Sequence, residues 1–175
     1  RWSACAMGEW RAGPVAGGNG LGTNSLLDRV VFGRAAGNHI VSSHLERQRA
    51  HQDVPKGSLD FSIGRIDALE SRKKGEKTQY VGNAIRASMQ AHCGVFRTVK
   101  LLEVGVQQIE ELAKQADHIA FVDKTKVFNT ARIVALELAN MIEIARATIN
   151  SAAVRSESRG APDLDDHTTR VDEDW

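Results

Sequence analysis

The stretch NTARIVALELANMIEIARATINSAAV, residues 129–154, decides the fold of this chain. Its first two residues, Asn129 and Thr130, have side chains that can cap the start of a helix. Apolar residues then fall on more than one face of that helix, and they include Val134, Leu138, Met141, Ala145 and Ile149. A helix that is apolar on all sides is usually buried among partners. We therefore predict that this segment is the central helix of a bundle.

Three shorter amphipathic segments precede this helix and supply its partners. The first can be capped by Ser58 and ends in the charged run 70–77. The second and third cover residues 80–89 and 102–116. The apolar stripe of the first segment consists of Leu59, Ile63, Ile66 and Leu69. Because short polar links join the segments, residues 58–155 are predicted to form an antiparallel helical bundle without strands of ordinary length.

A different pattern precedes the bundle. Residues 2–7 are mostly small and apolar, which predicts a buried strand, and the glycines clustered within residues 13–22 predict a loop. Asn24 and Ser25 then offer caps for a helix that runs towards His44. The apolar positions of this helix are Leu27, Val30, Val31 and Ala35. The chain is therefore predicted to be mainly α-helical, with a strand, a glycine loop and a helix ahead of the bundle.

The pattern changes within a polar linker at residues 48–57, which we take as a domain boundary. Residues 1–52 and 58–155 are accordingly predicted to be separate domains. Residues 156–175 are polar and acidic without periodicity, which predicts an extended tail that packs on another surface or is mobile. The chain begins with Arg1 rather than methionine, so we expect it to be internal to a longer protein.

Charge and hydropathy exclude two classes of function. The chain has 23 Lys and Arg against 22 Asp and Glu, a formal net charge of +1, so there is no basic excess that would drive binding to nucleic acid. The longest apolar stretch, residues 133–154, is interrupted by Glu137, Glu143 and Arg146, and we do not expect it to cross a membrane alone.

The sequence also argues against a metal-binding site and against nucleophilic catalysis. The two cysteines, Cys5 and Cys93, are far apart, and the six histidines lack the spacing of metal ligands, so we predict no metal site. This cysteine usage fits a reducing compartment. No serine or cysteine lies in a nucleophile elbow, which argues against a hydrolase. Glu143 and Arg146 are spaced i,i+3 on one helix, and we interpret them as a salt bridge rather than a general acid pair.

The strand, glycine loop and helix suggest a cofactor site, because backbone N–H groups at a helix start can hold an anion or a polar ring edge. The string GNGLG at 18–22 lacks the full G-x-G-x-x-G spacing, and no acidic residue on a following strand is available to hold a ribose. A glycine loop that only turns the chain would give the same pattern. The residues alone leave both interpretations open.

Three groups of residues carry a resemblance to a known family. They are MGE at 7–9, then NGLGTNSLLD at 19–28 with VFGRAAG at 31–37, and finally FNT at 128–130 with ESRGA at 157–161. Together they resemble the flavoprotein subunit of succinate dehydrogenase and fumarate reductase, in an order and spacing that hold over essentially the whole chain. L-Aspartate oxidase shares the first segment, although the VFGRAAG run is more similar to the dehydrogenase.

The resemblance implies a function, a cofactor and partners. Residues 1–52 would be the closing segment of a domain that binds flavin adenine dinucleotide (FAD), with Glu9 contacting the dinucleotide and the backbone of Ser25 and Leu26 meeting the flavin ring. The flavoprotein oxidises succinate to fumarate, or runs the reverse reaction, and passes electrons to an iron-sulfur subunit. Partners would be that subunit, the remainder of the flavoprotein and a dicarboxylate substrate.

The same resemblance implies a location, namely the matrix face of the mitochondrial inner membrane or the cytoplasmic face of a bacterial plasma membrane. Contact with the membrane would be made only through partner subunits. No catalytic residue and no metal ligand is assigned within this chain.

The chain departs from the family pattern at the substrate site. Gly20 stands where the family has an arginine that grips a carboxylate of the substrate, and a glycine cannot supply a bidentate cation. Pro162 and Leu164 stand where the family follows ESRGA with a histidine and then an arginine. The resemblance also implies that the amino-terminal G-x-G-x-x-G segment and the capping domain of the family lie outside these residues, so we expect the chain not to be competent alone and to hold FAD weakly or not at all. The alternatives are a non-catalytic structural module derived from the flavoprotein, or a fragment of an L-aspartate oxidase.

Overall fold

The computed structural model describes residues 22–45, 53 and 55–174. By its internal contacts the chain divides into two compact units. The first consists of Arg1–Val54 with Ser158–Asp163, and the second of Pro55–Glu157 with Leu164–Trp175. The predicted strand at 2–7 and most of the predicted glycine loop lie outside the described residues.

The first unit contains helix α1 (Asn24–Ile40), which continues as a π-helical turn over Val41–Leu45. The predicted helix that follows the glycine loop is thereby confirmed. Its cap differs from the prediction, because the capping position is occupied by Thr23 rather than Asn24. The Thr23 hydroxyl donates to the Gly22 carbonyl, 2.5 Å away, and makes no hydrogen bond to the helix.

The second unit is a helical bundle, as predicted. Its helices are α2 (Asp60–Ser71), α3 (Thr78–His92), α4 (Val99–Ala116) and α5 (Thr130–Val154). Helix α5 packs on α2, α3 and α4. Asn129 caps α5 as predicted, since its Oδ1 accepts a hydrogen bond from the Arg132 N–H at 2.8 Å. None of the described helices is both long and apolar enough to span a bilayer.

Contacts between α3 and α4 fix their relative direction. The last residue of α3 packs on the first half of α4, because a Cβ at Gly105 would lie 2.5 Å from the Cβ of His92. One turn earlier in α3, the Ser88 hydroxyl donates to Gln108 Oε1 at 3.1 Å. The two helices are therefore antiparallel.

Helix α5 is antiparallel to α4 by the same kind of evidence. A Cβ at Gly105 would lie 2.6 Å from Ile149 Cδ1, and further along α4 Glu110 pairs with Arg146 of α5. Since α3 and α5 both run against α4, these two helices run parallel to each other and begin at the same end of the bundle. This orientation places their first turns side by side.

Four strands of two residues each complete the described chain. The strand β1 (Glu76–Lys77) pairs in parallel with β3 (Ile119–Ala120). The strand β2 (Phe96–Arg97) pairs with β4 (Asp163–Leu164). None of the described strands reaches ordinary length, as predicted.

The core lies between α3, α4 and α5. Its fully buried side chains include Val81, Ile85, Leu102, Ile109, Leu138 and Ile149. Gly105 lets these helices approach closely, because any side chain there would overlap His92 and Ile149.

Two details of the predicted bundle are wrong. Ser58 does not cap α2, since its hydroxyl donates to the Pro55 carbonyl at 2.7 Å within a turn, and Leu59 occupies the capping position. The predicted stripe of α2 is buried only at Leu69, while Leu59 and Ile63 are exposed. In the second unit as described, α5 is not covered on every side, because Ile133, Ile144 and Val154 are more than half exposed.

Candidate functional site

The start of α1 carries two of the predicted site residues, Ser25 and Leu26. Gly22 and Thr23 have φ values of 57° and 70°, so two consecutive residues in the left-handed region turn the chain into the helix. Ser25 and Leu26 follow in its first turn, and the Leu26 side chain is 58% exposed. Glu9, the third predicted residue, lies outside the described residues, as does Gly20.

The electrostatics of this helix start suit an electron-rich ligand. The first turn of α1 contains no acidic residue, and the capping residue makes no side-chain hydrogen bond to it. The backbone N–H groups at a helix N-terminus together carry roughly half a positive charge. The residues present therefore fit the polar edge of a flavin ring, where negative charge accumulates on reduction.

The outer surface of α1 is strongly apolar. Within the described residues this helix buries none of its side chains. Its exposed apolar residues include Leu26, Leu27, Val30 and Val31. Among the described residues, the predicted apolar stripe of α1 is therefore exposed rather than packed.

The ESRGA string begins with a buried carboxylate. The side chain of Glu157 has no exposed surface and forms an ion pair with Arg155. Its Oε2 accepts a hydrogen bond from the Val171 N–H at 2.7 Å, which ties the last residues of the chain to the end of α5. The ion pair and the hydrogen bond thus compensate the buried charge of Glu157.

The next residues of that string form a turn. The Ser158 hydroxyl donates to Asp163 Oδ1 at 3.1 Å, and Gly160 between them has φ 75°. A residue with a side chain would be strained in that conformation, which explains why a glycine occupies this position of the string.

The acidic tail is anchored on the start of α4. Leu164 is buried, and the Asp165 N–H donates to the Arg97 carbonyl at 2.9 Å. Asp166 Oδ2 accepts from the Val99 N–H at 2.5 Å, and Thr98 Oγ1 accepts from the Leu101 N–H at 3.2 Å. Two side-chain oxygens therefore satisfy the N–H groups of Val99 and Leu101, which the helix itself cannot pair. Sequence reasoning missed Asp166, because no local pattern links positions 67 residues apart.

The predicted salt bridge on α5 is confirmed. Arg146 Nη1 lies 3.4 Å from Glu143 Oε1 on the same helix, and Arg146 Nε lies 2.9 Å from Glu110 Oε1 on α4. The hydrogen bond to Glu110 is the main cause that raises the pKa of the Arg146 guanidinium. The pair is structural, since it joins two helices on the surface.

The remaining candidates for chemistry are a serine, a histidine and a cysteine at the end of α3. The Ser88 hydroxyl lies 3.4 Å from His92 Nδ1, but this nitrogen is 2.9 Å from the Ser88 carbonyl, to which it can only donate. The hydroxyl instead donates to Gln108 Oε1 at 3.1 Å, so it is not poised for proton transfer to the imidazole. Burial raises the pKa of the Cys93 thiol, and Arg97 opposes that effect. Among the described residues, no cluster of three potential metal ligands occurs.

Comparison with known proteins identifies the fold and the family. The family model described as fumarate reductase flavoprotein C-term matches residues 82–175. The chain is 37% identical over 170 residues to a succinate dehydrogenase flavoprotein subunit from Coxiella burnetii, covering 97% of this chain and 29% of that protein. It is 36% identical to a mitochondrial succinate dehydrogenase flavoprotein subunit from Xenopus laevis, covering 96% of this chain and 25% of that protein.

Solved structures agree with this assignment. An Escherichia coli quinol fumarate reductase superposes with a TM-score of 0.82 at 28% identity, over 97% of this chain and 29% of the other. The Sdh1 complex of Mycobacterium smegmatis superposes with a TM-score of 0.80 at 25% identity, over 93% of this chain and 27% of the other. The fold is thus that of the helical C-terminal part of a flavoprotein subunit.

The chain belongs to the succinate dehydrogenase and fumarate reductase flavoprotein family. It spans between a quarter and a third of the length of the Coxiella burnetii and Xenopus laevis flavoprotein subunits. The resemblance inferred from the short strings is therefore confirmed at the level of the family.

Proposed function

We propose that this chain provides the closing edge of the FAD site and the helical domain of a succinate dehydrogenase or fumarate reductase flavoprotein. The observation that carries the proposal is the match to such flavoprotein subunits over 97% of the chain. FAD, when bound, would supply the hydride chemistry that interconverts succinate and fumarate. The iron-sulfur subunit that receives electrons, the rest of the flavoprotein and the dicarboxylate substrate belong to the same proposal.

The proposed roles of individual residues are limited to the cofactor. The backbone N–H groups of Ser25 and Leu26 would face the flavin ring, because they lie in the first turn of α1, at the positive end of the helix dipole, and that turn contains no acidic residue. Glu9 would contact the dinucleotide.

A chimera tests this proposal. The chain would replace the matching segment of the Coxiella burnetii flavoprotein subunit, and the flavin content of the purified chimera would be measured by absorbance after desalting. We expect retained flavin. A correctly folded chimera that holds no flavin, beside a native subunit that does, would contradict the proposal.

Two variants of Ser25 test the role of the helix start. Ser25→Pro removes a backbone N–H near the helix start, whereas Ser25→Ala removes only the hydroxyl. We expect the proline variant of the chimera to lose flavin or to show a lower reduction potential, and the alanine variant to resemble its parent. Equal behaviour of the two variants would show that this N–H does not meet the cofactor.

A second candidate function is a non-catalytic module that keeps the fold of the family. Gly20 favours it, because the carboxylate-binding arginine expected at this position by resemblance is replaced by a residue without a side chain. The two candidates differ in substrate turnover, since the flavoprotein segment would support succinate oxidation in the chimera once the arginine is restored, and the non-catalytic module would not.

A further inference from the structure

We draw no further inference here: the strongest candidate, the surface patch on the loop between β3 and α5 where the side chains of Val122 and Phe128 are each 98% exposed, is an unpartnered apolar surface, and nothing in the described part of the chain shows what covers it.

Discussion

Asp166 Oδ2 accepts a hydrogen bond from the backbone N–H of Val99, at a nitrogen-to-oxygen distance of 2.5 Å. Val99 is the first residue of α4, and the carboxylate comes from the acidic tail that follows β4. A negative charge at a helix N-terminus is attracted by the positive end of the helix dipole. It also accepts a hydrogen bond from an N–H that the helix itself cannot pair. The tail thus contributes to the stability of the bundle.

Asp166→Ala should lower the free energy of unfolding by about 1 kcal/mol, the usual cost of losing a capping side chain. Urea denaturation followed by circular dichroism measures the change. Asp165→Ala is the matched control, because Asp165 contacts β2 through its backbone N–H and should tolerate the change. Equal losses of unfolding free energy in the two variants would show that the overall negative charge of the tail, rather than the contact with Val99, is responsible.

Gly105→Ala should destabilise the bundle by about 1–3 kcal/mol, because overpacking forces the surrounding core to shift. The added methyl group would lie 2.5 Å from His92 Cβ and 2.6 Å from Ile149 Cδ1. Gly64→Ala in α2 meets nothing within 4 Å and should be neutral or stabilising by up to about 1 kcal/mol. Thermal unfolding of both variants tests the packing, and a stable Gly105→Ala variant would contradict it.

The sequence predicted the helices of the bundle and the Asn129 cap because those signals are local. The same kind of signal failed at Ser58, where a turn that begins at Pro55 competes for the hydroxyl and moves the helix start to Asp60. The contact between Asp166 and the start of α4 was missed for the opposite reason. Its two partners are 67 residues apart, and only the folded chain brings them together.

Stability should fall on the alkaline side because of Cys93. Burial raises the pKa of its thiol in the folded chain, so folding favours the neutral form. This contribution is fully present below the pKa of the unfolded thiol and is lost as the pH rises through the folded pKa. Cys93→Ala should therefore show a smaller loss of stability between pH 8 and about pH 10 than the parent chain. Identical pH profiles from denaturant unfolding would contradict this account.

The isolated chain should hold FAD weakly or not at all, since the resemblance places the other contacts of the dinucleotide in the part of the flavoprotein that it does not span. An absorbance spectrum after incubation with FAD and desalting measures the bound flavin. A stoichiometric flavin peak that survives desalting would show that the binding determinants lie within these 175 residues.

Succinate oxidation by the Coxiella burnetii chimera tests the central claim, that the chain is a flavoprotein segment whose substrate contact has been lost at Gly20. Loss of one charge-assisted contact in a desolvated site costs about 3 kcal/mol, or roughly a hundredfold in rate. We therefore predict that the chimera binds flavin but turns over succinate at least about a hundredfold more slowly than the native subunit, and that Gly20→Arg restores the rate. An ordinary rate with Gly20 in place, to which Gly20→Arg adds nothing, would contradict the account.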